Sequence, residues 1–165
     1  MWRFKPIVQK ATKDDFQNWL KLASEVEHLF GPMVDNRLFH DSLMKCIAEG
    51  RALCVRERNG KPGSPLIGGL MLSAEPPVYR IGWLAVAKEW RRKGIGRLLV
   101  EYVFNNVKRP SEVIVTTFAE NDKLGQEAVM FYKNMGFKKS GRASVRAPSG
   151  IECVEIKKIL KDKKI

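Results

Sequence analysis

A strand-like run, Trp83-Leu84-Ala85-Val86, leads through a short basic turn, Arg91-Arg92-Lys93-Gly94-Ile95-Gly96-Arg97, into a helix-periodic stretch. Ile95, Leu98, Leu99, Tyr102, Val103 and Val107 recur at helical spacing, so the turn opens a helix with one buried face. The first N–H groups of such a helix lack intrahelical acceptors, and the helix dipole adds partial positive charge there. Glycine removes the Cβ that would hold a ligand away from the backbone. Arg91, Arg92, Lys93 and Arg97 add side-chain donors. The segment reads as an anion cradle suited to a pyrophosphate. It is neither of the two common nucleotide loops. No Gly-Lys-Ser/Thr ending follows the glycines, and Leu99 stands where a dinucleotide fingerprint needs a third glycine. Taken alone, two glycines can equally tighten a turn.

The flanking pattern supplies the context. Residues 5–11 read as a strand. Thr12-Lys13-Asp14-Asp15 reads as a helix start with Thr12 as N-cap and Asp15 reaching back to it. Phe16, Trp19, Leu20, Leu22, Ala23, Val26 and Leu29 continue that helix to Gly31-Pro32, and a second helix is expected over about 36–48. Strands follow over 51–57, 66–73 and 78–87, separated by a Gly/Pro-rich turn at 59–65 and by Pro76-Pro77. The basic loop then opens a helix over about 94–108. A strand over 112–118, a helix over about 123–135 and two strands near 137–146 and 151–160 complete the chain. Leu124, Ala128, Phe131 and Met135 share one face of the later helix. The string β-α-α-β-β-β-α-β-α-β-β has no repeat and no linker. It predicts one domain over 1–165, mixed α/β, with a largely antiparallel sheet and one crossover around 84–118.

Composition narrows the function. Of 165 residues, 44% are hydrophobic and 29% charged, which suits a packed globular chain and not a disordered one. No apolar run nears the ~20 residues of a membrane span, and the N-terminus lacks the apolar core of a secretory signal. Cys46, Cys54 and Cys153 form no CxxC pair and supply too few ligands for zinc, so no metal site is expected. Reduced, buried thiols in a cytoplasmic protein are expected instead. The net charge of +12 raises nucleic-acid binding. The excess is spread, however. Residues 138–165 hold nine Lys/Arg against three Asp/Glu, and residues 88–109 hold seven against two, without the aromatic interleaving of a single-strand platform. A solvated basic surface, or attraction of a polyanionic cofactor by residues 88–109, accounts for the charge without a nucleic-acid partner.

Two segments carry a family resemblance. Leu84-Ala85-Val86 followed by Arg91-Arg92-Lys93-Gly94-Ile95-Gly96-Arg97-Leu98-Leu99 resembles the GNAT motif Arg/Gln-x-x-Gly-x-Gly/Ala. Ala128-Val129-Met130-Phe131-Tyr132-Lys133-Asn134-Met135-Gly136-Phe137 resembles that superfamily's Ala-x-x-Phe-Tyr-x-x-x-Gly-Phe segment. Their order and the strand between them match as well, and the strong part of the resemblance spans about 80–137. It implies a GNAT-type sheet flanked by about four helices, with acetyl-CoA (coenzyme A) as co-substrate. It implies that Leu84, Ala85 and Val86 run beside the pantetheine arm. Arg91, Arg92, Lys93, Gly94, Ile95, Gly96 and Arg97 would hold the pyrophosphate, and the strand after the helix would splay away to leave a slot for the arm. Tyr132 would stand near the sulfur. Many members place Asn three residues before the alanine of the second motif. Gly125 stands there in this chain, and Asn121 or Asp122 is the substitute for that role, Asn121 being taken as cofactor-binding.

The chemistry implied is N-acetyl transfer by direct attack of an amine on the thioester. A backbone N–H can stabilise the charge that builds on the carbonyl oxygen, and a tyrosine hydroxyl can donate to the leaving thiolate. Tyr132 is the candidate general acid. Glu75, at a strand end, is the candidate base among Glu25, Glu27, Asp35 and Glu75, while His28 and His40 read as helix residues. Trp83 and Trp90 read first as packing groups, and Phe30-Gly31-Pro32-Met33 as either a lid over the acceptor or an inert turn. The acceptor is a small-molecule amine or a protein amine. A homodimer is common in the superfamily. The alternative is a non-catalytic GNAT-like module that binds coenzyme A or RNA.

Overall fold

The structure is a computed structural model that describes residues 4–119, 123–141 and 145–162. Strands β1 (Gln9–Lys10), β2 (Ala52–Arg56), β3 (Leu66–Glu75), β4 (Val78–Val86), β5 (Ser111–Phe118), β6 (Lys138–Lys139), β7 (Val145–Arg146) and β8 (Glu152–Leu160) form one sheet. Their order is β1-β2-β3-β4-β5-β8-β6, with β7 also on β8. Only β4 and β5 are parallel; the other pairs are antiparallel. The helices are α1 (Phe16–Ser24), α2 (Glu27–Phe30), α3 (Arg37–Ala48), α4 (Ile95–Asn106) and α5 (Lys123–Asn134). This is the mixed, mostly antiparallel α/β architecture expected from the sequence, with the single crossover running through α4.

Both faces of the sheet's first half are covered. On one face, Leu53, Val55, Leu70, Tyr79 and Ile81 pack with Leu99, Val100 and Val103 of α4. On the other, Ala52, Cys54, Met71, Trp83 and Ala85 pack with Trp19 and Leu22 of α1 and Leu43 of α3. That is why Ala52-Leu53-Cys54-Val55-Arg56 is buried at every position rather than at alternate ones. Gly68 and Gly69 sit in the first half of β3. A Cβ on Gly69 would lie 2.9 Å from the Trp19 ring, and one on Gly68 would lie 2.7 Å from Ile95. Adjacent glycines thus let helices from opposite faces press onto one strand.

A register shift in the β3–β4 ladder sets up the site. Met71 pairs with Trp83 but Leu72 pairs with Ile81, so Gly82 is an extra residue in β4. The bulge switches which residues face which core. Tyr79 and Ile81 belong to the α4 side before it, and Leu84 and Val86 pack on that side after it. Trp83 and Ala85 turn to the α1/α3 side.

Three expected elements are shorter in the structure. The strand expected over 5–11 pairs only at Gln9 and Lys10, because the Asn59 side chain takes its neighbours: Ile7 N donates to Asn59 Oδ1 (3.0 Å) and Asn59 Nδ2 donates to Lys5 O (2.7 Å). The helix expected over 12–31 is a 3-10 turn (Lys13–Asp15), then α1, then the one-turn α2. The break falls at Val26 (φ −123°), after which the Glu27 carboxylate accepts from Met33 N (2.7 Å) and Val34 N (3.2 Å) and draws the chain into a turn. The strand expected near 137–146 is present as β6 and β7 on either side of Gly141, whose φ of +87° is incompatible with a continuous ladder.

One buried ion pair pins the start of α1 to the sheet. Asp15 and Arg56 are 0% and 2% exposed. Arg56 donates from Nε to Asp15 Oδ1 (3.0 Å) and from a terminal nitrogen to Oδ2 (2.7 Å), and the amides of Thr12 (2.8 Å) and Gly63 (3.1 Å) donate to the same carboxylate. Burial alone would raise the Asp15 carboxyl, but the Arg56 and backbone hydrogen bonds outweigh it and hold it below the usual carboxylate range. Asp15→Asn strands a buried guanidinium and is expected to cost about 3–5 kcal/mol in urea unfolding. With the folded-state value depressed, the stability this group lends is complete above its unfolded value and is lost as the pH falls below about 4. The variant is therefore expected to lose less stability than the wild type over that acid range.

Candidate active site

The β4–β5 ladder has four register pairs, Val78–Glu112 to Ile81–Val115. Beyond them β4 stays bonded to β3 as far as Val86, and β5 stays bonded to β8 as far as Phe118. The two strands therefore part after Ile81 while each keeps its outer partner. The edge of β4 that faces the gap has no strand to satisfy it. At its end, Ala87 N turns away to Ile67 O (2.9 Å), so the Val86 carbonyl points into the gap, where Arg91 Nε donates to it (3.1 Å).

A short 3-10 turn at Lys88–Trp90 leads from the gap to α4. Arg92 (φ +60°) and Gly94 (φ +85°) both adopt left-handed backbone. Gly94 is the N-cap and contributes no capping side chain, and the first bond of the helix is Leu98 N to Gly94 O (3.0 Å). The amides of Ile95, Gly96 and Arg97 are thereby left without intrahelical acceptors at the positive end of a twelve-residue helix. A Cβ on Gly96 would stand 3.3 Å from the Phe131 ring and 3.8 Å from Val86, so the glycine keeps open the space between α4, α5 and β4.

A cavity of about 530 Å³ occupies that space. Its walls include Leu84, Ala85 and Val86 from β4, and Arg91, Arg92, Gly94, Ile95, Gly96 and Arg97 from the loop and first turn. Lys93 is not on its wall; its ammonium lies 5.3 Å over the Trp90 ring and borders a separate hollow beside Phe4 and Pro6. Asn121 lies outside the described residues. Phe131, Asn134 and Met135, on or just past α5, complete the cavity together with Trp90. Asn134 was not singled out in the sequence, although the i, i+3, i+4 spacing from Phe131 marks all three as one helical face.

The two candidate catalytic groups are placed differently. Tyr132 is 6% exposed, with its ring edge-on to Phe131 (4.9 Å) and Phe137 (5.3 Å), inside the α4-side core and not on the cavity wall. Burial pushes its hydroxyl well above the ordinary phenol value, so it stays protonated. Glu75 is exposed and pairs with Val78, at the start of β4. Six residues of strand separate that register from Leu84, roughly 20 Å. Glu75 is not on the cavity wall. Glu25 and Glu27 are used structurally: Glu25 accepts from Lys88 N (2.9 Å), and the amides on Glu27 hold its carboxyl below the usual range. His40 Nε2 lies 2.5 Å from Val34 O.

Across β4 from the cavity, Trp83 is enclosed by Trp19 (5.5 Å), Phe39 (6.0 Å) and Phe30 (6.4 Å) and donates from its indole nitrogen to Met33 Sδ (3.2 Å). Phe30 also stacks on Phe118 at the end of β5 (5.6 Å). The 30–33 segment thus covers the far side of the strand gap. The three thiols are buried, and burial raises them, Cys54 to about 12, which keeps them protonated and poor as nucleophiles. Among the described residues, no helix is long and apolar enough to cross a membrane.

Comparison with known proteins points one way. The family model for the acetyltransferase (GNAT) domain matches residues 49–139. No curated protein sequence matches the chain. Among solved structures, a GNAT-family acetyltransferase from Bacillus cereus superposes with a TM-score of 0.71 at 19% identity, covering 96% of this chain and 99% of that one. The ribosomal-protein-S18-alanine N-acetyltransferase of Escherichia coli gives 0.70 at 14% identity, covering 97% of each. The PaiA N-acetyltransferase of Thermoplasma acidophilum, solved with coenzyme A, gives 0.67 at 16% identity, covering 94% and 99%.

The placement of α4 depends on Gly68. Its Ala variant would drive a methyl group to within 2.7 Å of Ile95 at the first turn of α4. Gly68→Ala is expected to lower stability by about 1–3 kcal/mol in denaturant titration, the usual cost of overpacking.

Proposed function

The chain belongs to the GNAT acetyltransferase family, and from that premise we propose that it transfers an acetyl group from acetyl-CoA to an amine within a ternary complex, as a single domain. The observation that carries this reading is the cavity between the freed edge of β4, α4 and α5, closed at one end by the unpaired amides of α4. The wall fits the proposed co-substrate chemically. A Cβ at Gly96 would fill the cradle, the open amides suit phosphate oxygens, and the unpaired edge of β4 suits the amide groups of a pantetheine arm.

When bound, the thioester supplies an activated acyl group, and the products are an amide and a free thiol. The chain's own part is to position and to handle protons. The Leu84–Val86 edge would align the arm, and the α4 amides with Arg91, Arg92 and Arg97 would bind the pyrophosphate. Phe131, the residue before Tyr132, and Met135, just past α5, line the cavity, so Tyr132 lies next to that wall, and the role of its hydroxyl as hydrogen-bond donor to the leaving sulfur rests on the Phe131-Tyr132 resemblance. Its burial suits a donor, since it stays protonated at any working pH. No thiol nucleophile is needed, and much of the rate would come from holding amine and thioester together.

Tyr132→Phe is expected to lower kcat at least tenfold with little change in acetyl-CoA affinity; an unchanged kcat removes Tyr132 from the mechanism. Calorimetry with coenzyme A tests the cavity itself. Gly96→Val, which crowds Phe131 and Val86, is expected to weaken binding more than about tenfold, a loss of about 1.4 kcal/mol. Arg92 and Arg97 are exposed and already paired, with Glu127 (3.1 Å) and Glu101 (2.8 Å). Removing either should weaken binding only about two- to fivefold, in keeping with the small energies of surface pairs. Absence of coenzyme A binding by the folded protein would refute the reading. Binding without turnover of any amine would favour a non-catalytic module.

A further inference from the structure

A second hollow meets the same strand from the opposite side. It has a volume of about 470 Å³ and lies between α3 and the β3–β4 pair, with Gly82 and Trp83 at its floor. The first cavity begins at Leu84. Consecutive stretches of β4 thus meet the two hollows, Gly82–Trp83 the second and Leu84–Val86 the first. Gly82 also lies where the β4–β5 ladder has just ended at Ile81. It carries no side chain, and an added Cβ would meet nothing nearer than Met71 O at 3.9 Å.

The charged groups of this hollow have one sign. Two cations line it, Lys45 and Arg51, and no carboxylate does. Arg51 is committed to the protein. Its Nε donates to Glu49 (2.7 Å), and a terminal nitrogen reaches Cys46 Sγ (3.3 Å) and the Leu72 carbonyl. It braces the wall and is not free to bind. The Lys45 ammonium has no hydrogen bond or ion pair among the described residues, and the hydroxyls of Ser42, three residues earlier on the same face of α3, and of Ser73 on β3 have no hydrogen bond among them either. An ammonium with two hydroxyls beside it suits a carboxylate or another small anion. It repels a second ammonium.

Resting on the acetyl-transfer reading above, we propose that this hollow is the acceptor site and that it selects amines carrying an anionic group, which Lys45, Ser42 and Ser73 bind while the amine reaches the thioester past Gly82. Simple polyamines are disfavoured. Its volume suits a small molecule or the first residues of a peptide.

The test uses matched acceptors that differ only in this group: ω-amino acids of three to six carbons against their amides, and short peptides beginning with Asp or Glu against Asn or Gln. Turnover is read as coenzyme A thiol release. For at least one pair, the anionic member is expected to have a kcat/KM at least tenfold higher. Lys45→Glu is expected to collapse that ratio at least tenfold. Lys61→Glu, which makes the same charge change on the exposed 59–65 turn, is expected to leave it. Gly82→Val is expected to raise the acceptor KM while calorimetry still shows coenzyme A binding. Equal use of both members of every pair, no use of any anionic member by enzyme that acetylates other amines, or an unchanged ratio in Lys45→Glu would overturn the proposal and leave acetyl transfer standing. Loss of coenzyme A binding by the folded wild-type chain would instead overturn acetyl transfer, and the acceptor proposal with it.

Discussion

Four register pairs join β4 to β5, and then the ladder stops while both strands run on. An unpaired strand edge inside a sheet is costly unless something else satisfies it. This chain leaves Gly82–Val86 in that condition beside the open end of α4. The bulge at Gly82 falls where they part, and an extra residue bends the strand that carries it. The same residue turns Leu84 and Val86 toward the cavity side and Trp83 toward α1 and α3. A single extra residue thus coincides with the start of the gap, aims the wall of one hollow and puts a glycine on the wall of the other.

Strands that part in this way need rigid outer partners. For β5 the partner is β8, paired along the whole length of β5. For β4 it is β3, pressed from both faces where Gly68 admits α4 and Gly69 admits Trp19 of α1. The α1 side is anchored in turn by Asp15 and Arg56, a charge pair that burial would punish without its four hydrogen bonds. Stability and site geometry therefore share residues. A cavity held open by backbone has to be framed by a core that does not relax into it.

What was legible in the sequence was local. The glycines that open α4 and the period of α4 and α5 depend on neighbours within a few residues, and the helix starts fall where those signals put them. Most of the cavity wall comes from one contiguous stretch, Leu84 to Arg97, so it too was readable. The bulge was not, because Trp83, Leu84, Ala85 and Val86 are all apolar and an alternation that shifts phase leaves no mark among them. The position of Glu75 depends on which end of a ten-residue hairpin strand meets the gap, a matter of sheet register. Lys93 shows a similar limit. Among consecutive basic residues, the left-handed turn at Arg92 decides which side chains face the cavity, and Lys93 turns to Trp90 instead.

The net charge of +12 invited an explanation by the basic loop, and the structure divides that charge more finely. Arg91 is tied to the Val86 carbonyl, Arg92 and Arg97 have carboxylate partners, and Lys93 lies over an aromatic ring. None of the four is a free cation waiting at the cavity. The groups with no competing partner are the amides of the first turn of α4, which carry only partial charge but are fixed in direction. Surface arginines exchange partners at small cost, so they raise the local concentration of an anion more than they fix its position. Fixed amides do the reverse. On that division of labour, long-range attraction would belong to side chains that many arrangements could supply, whereas the position of a bound phosphate would belong to the backbone conformation at Arg92, Gly94 and Gly96.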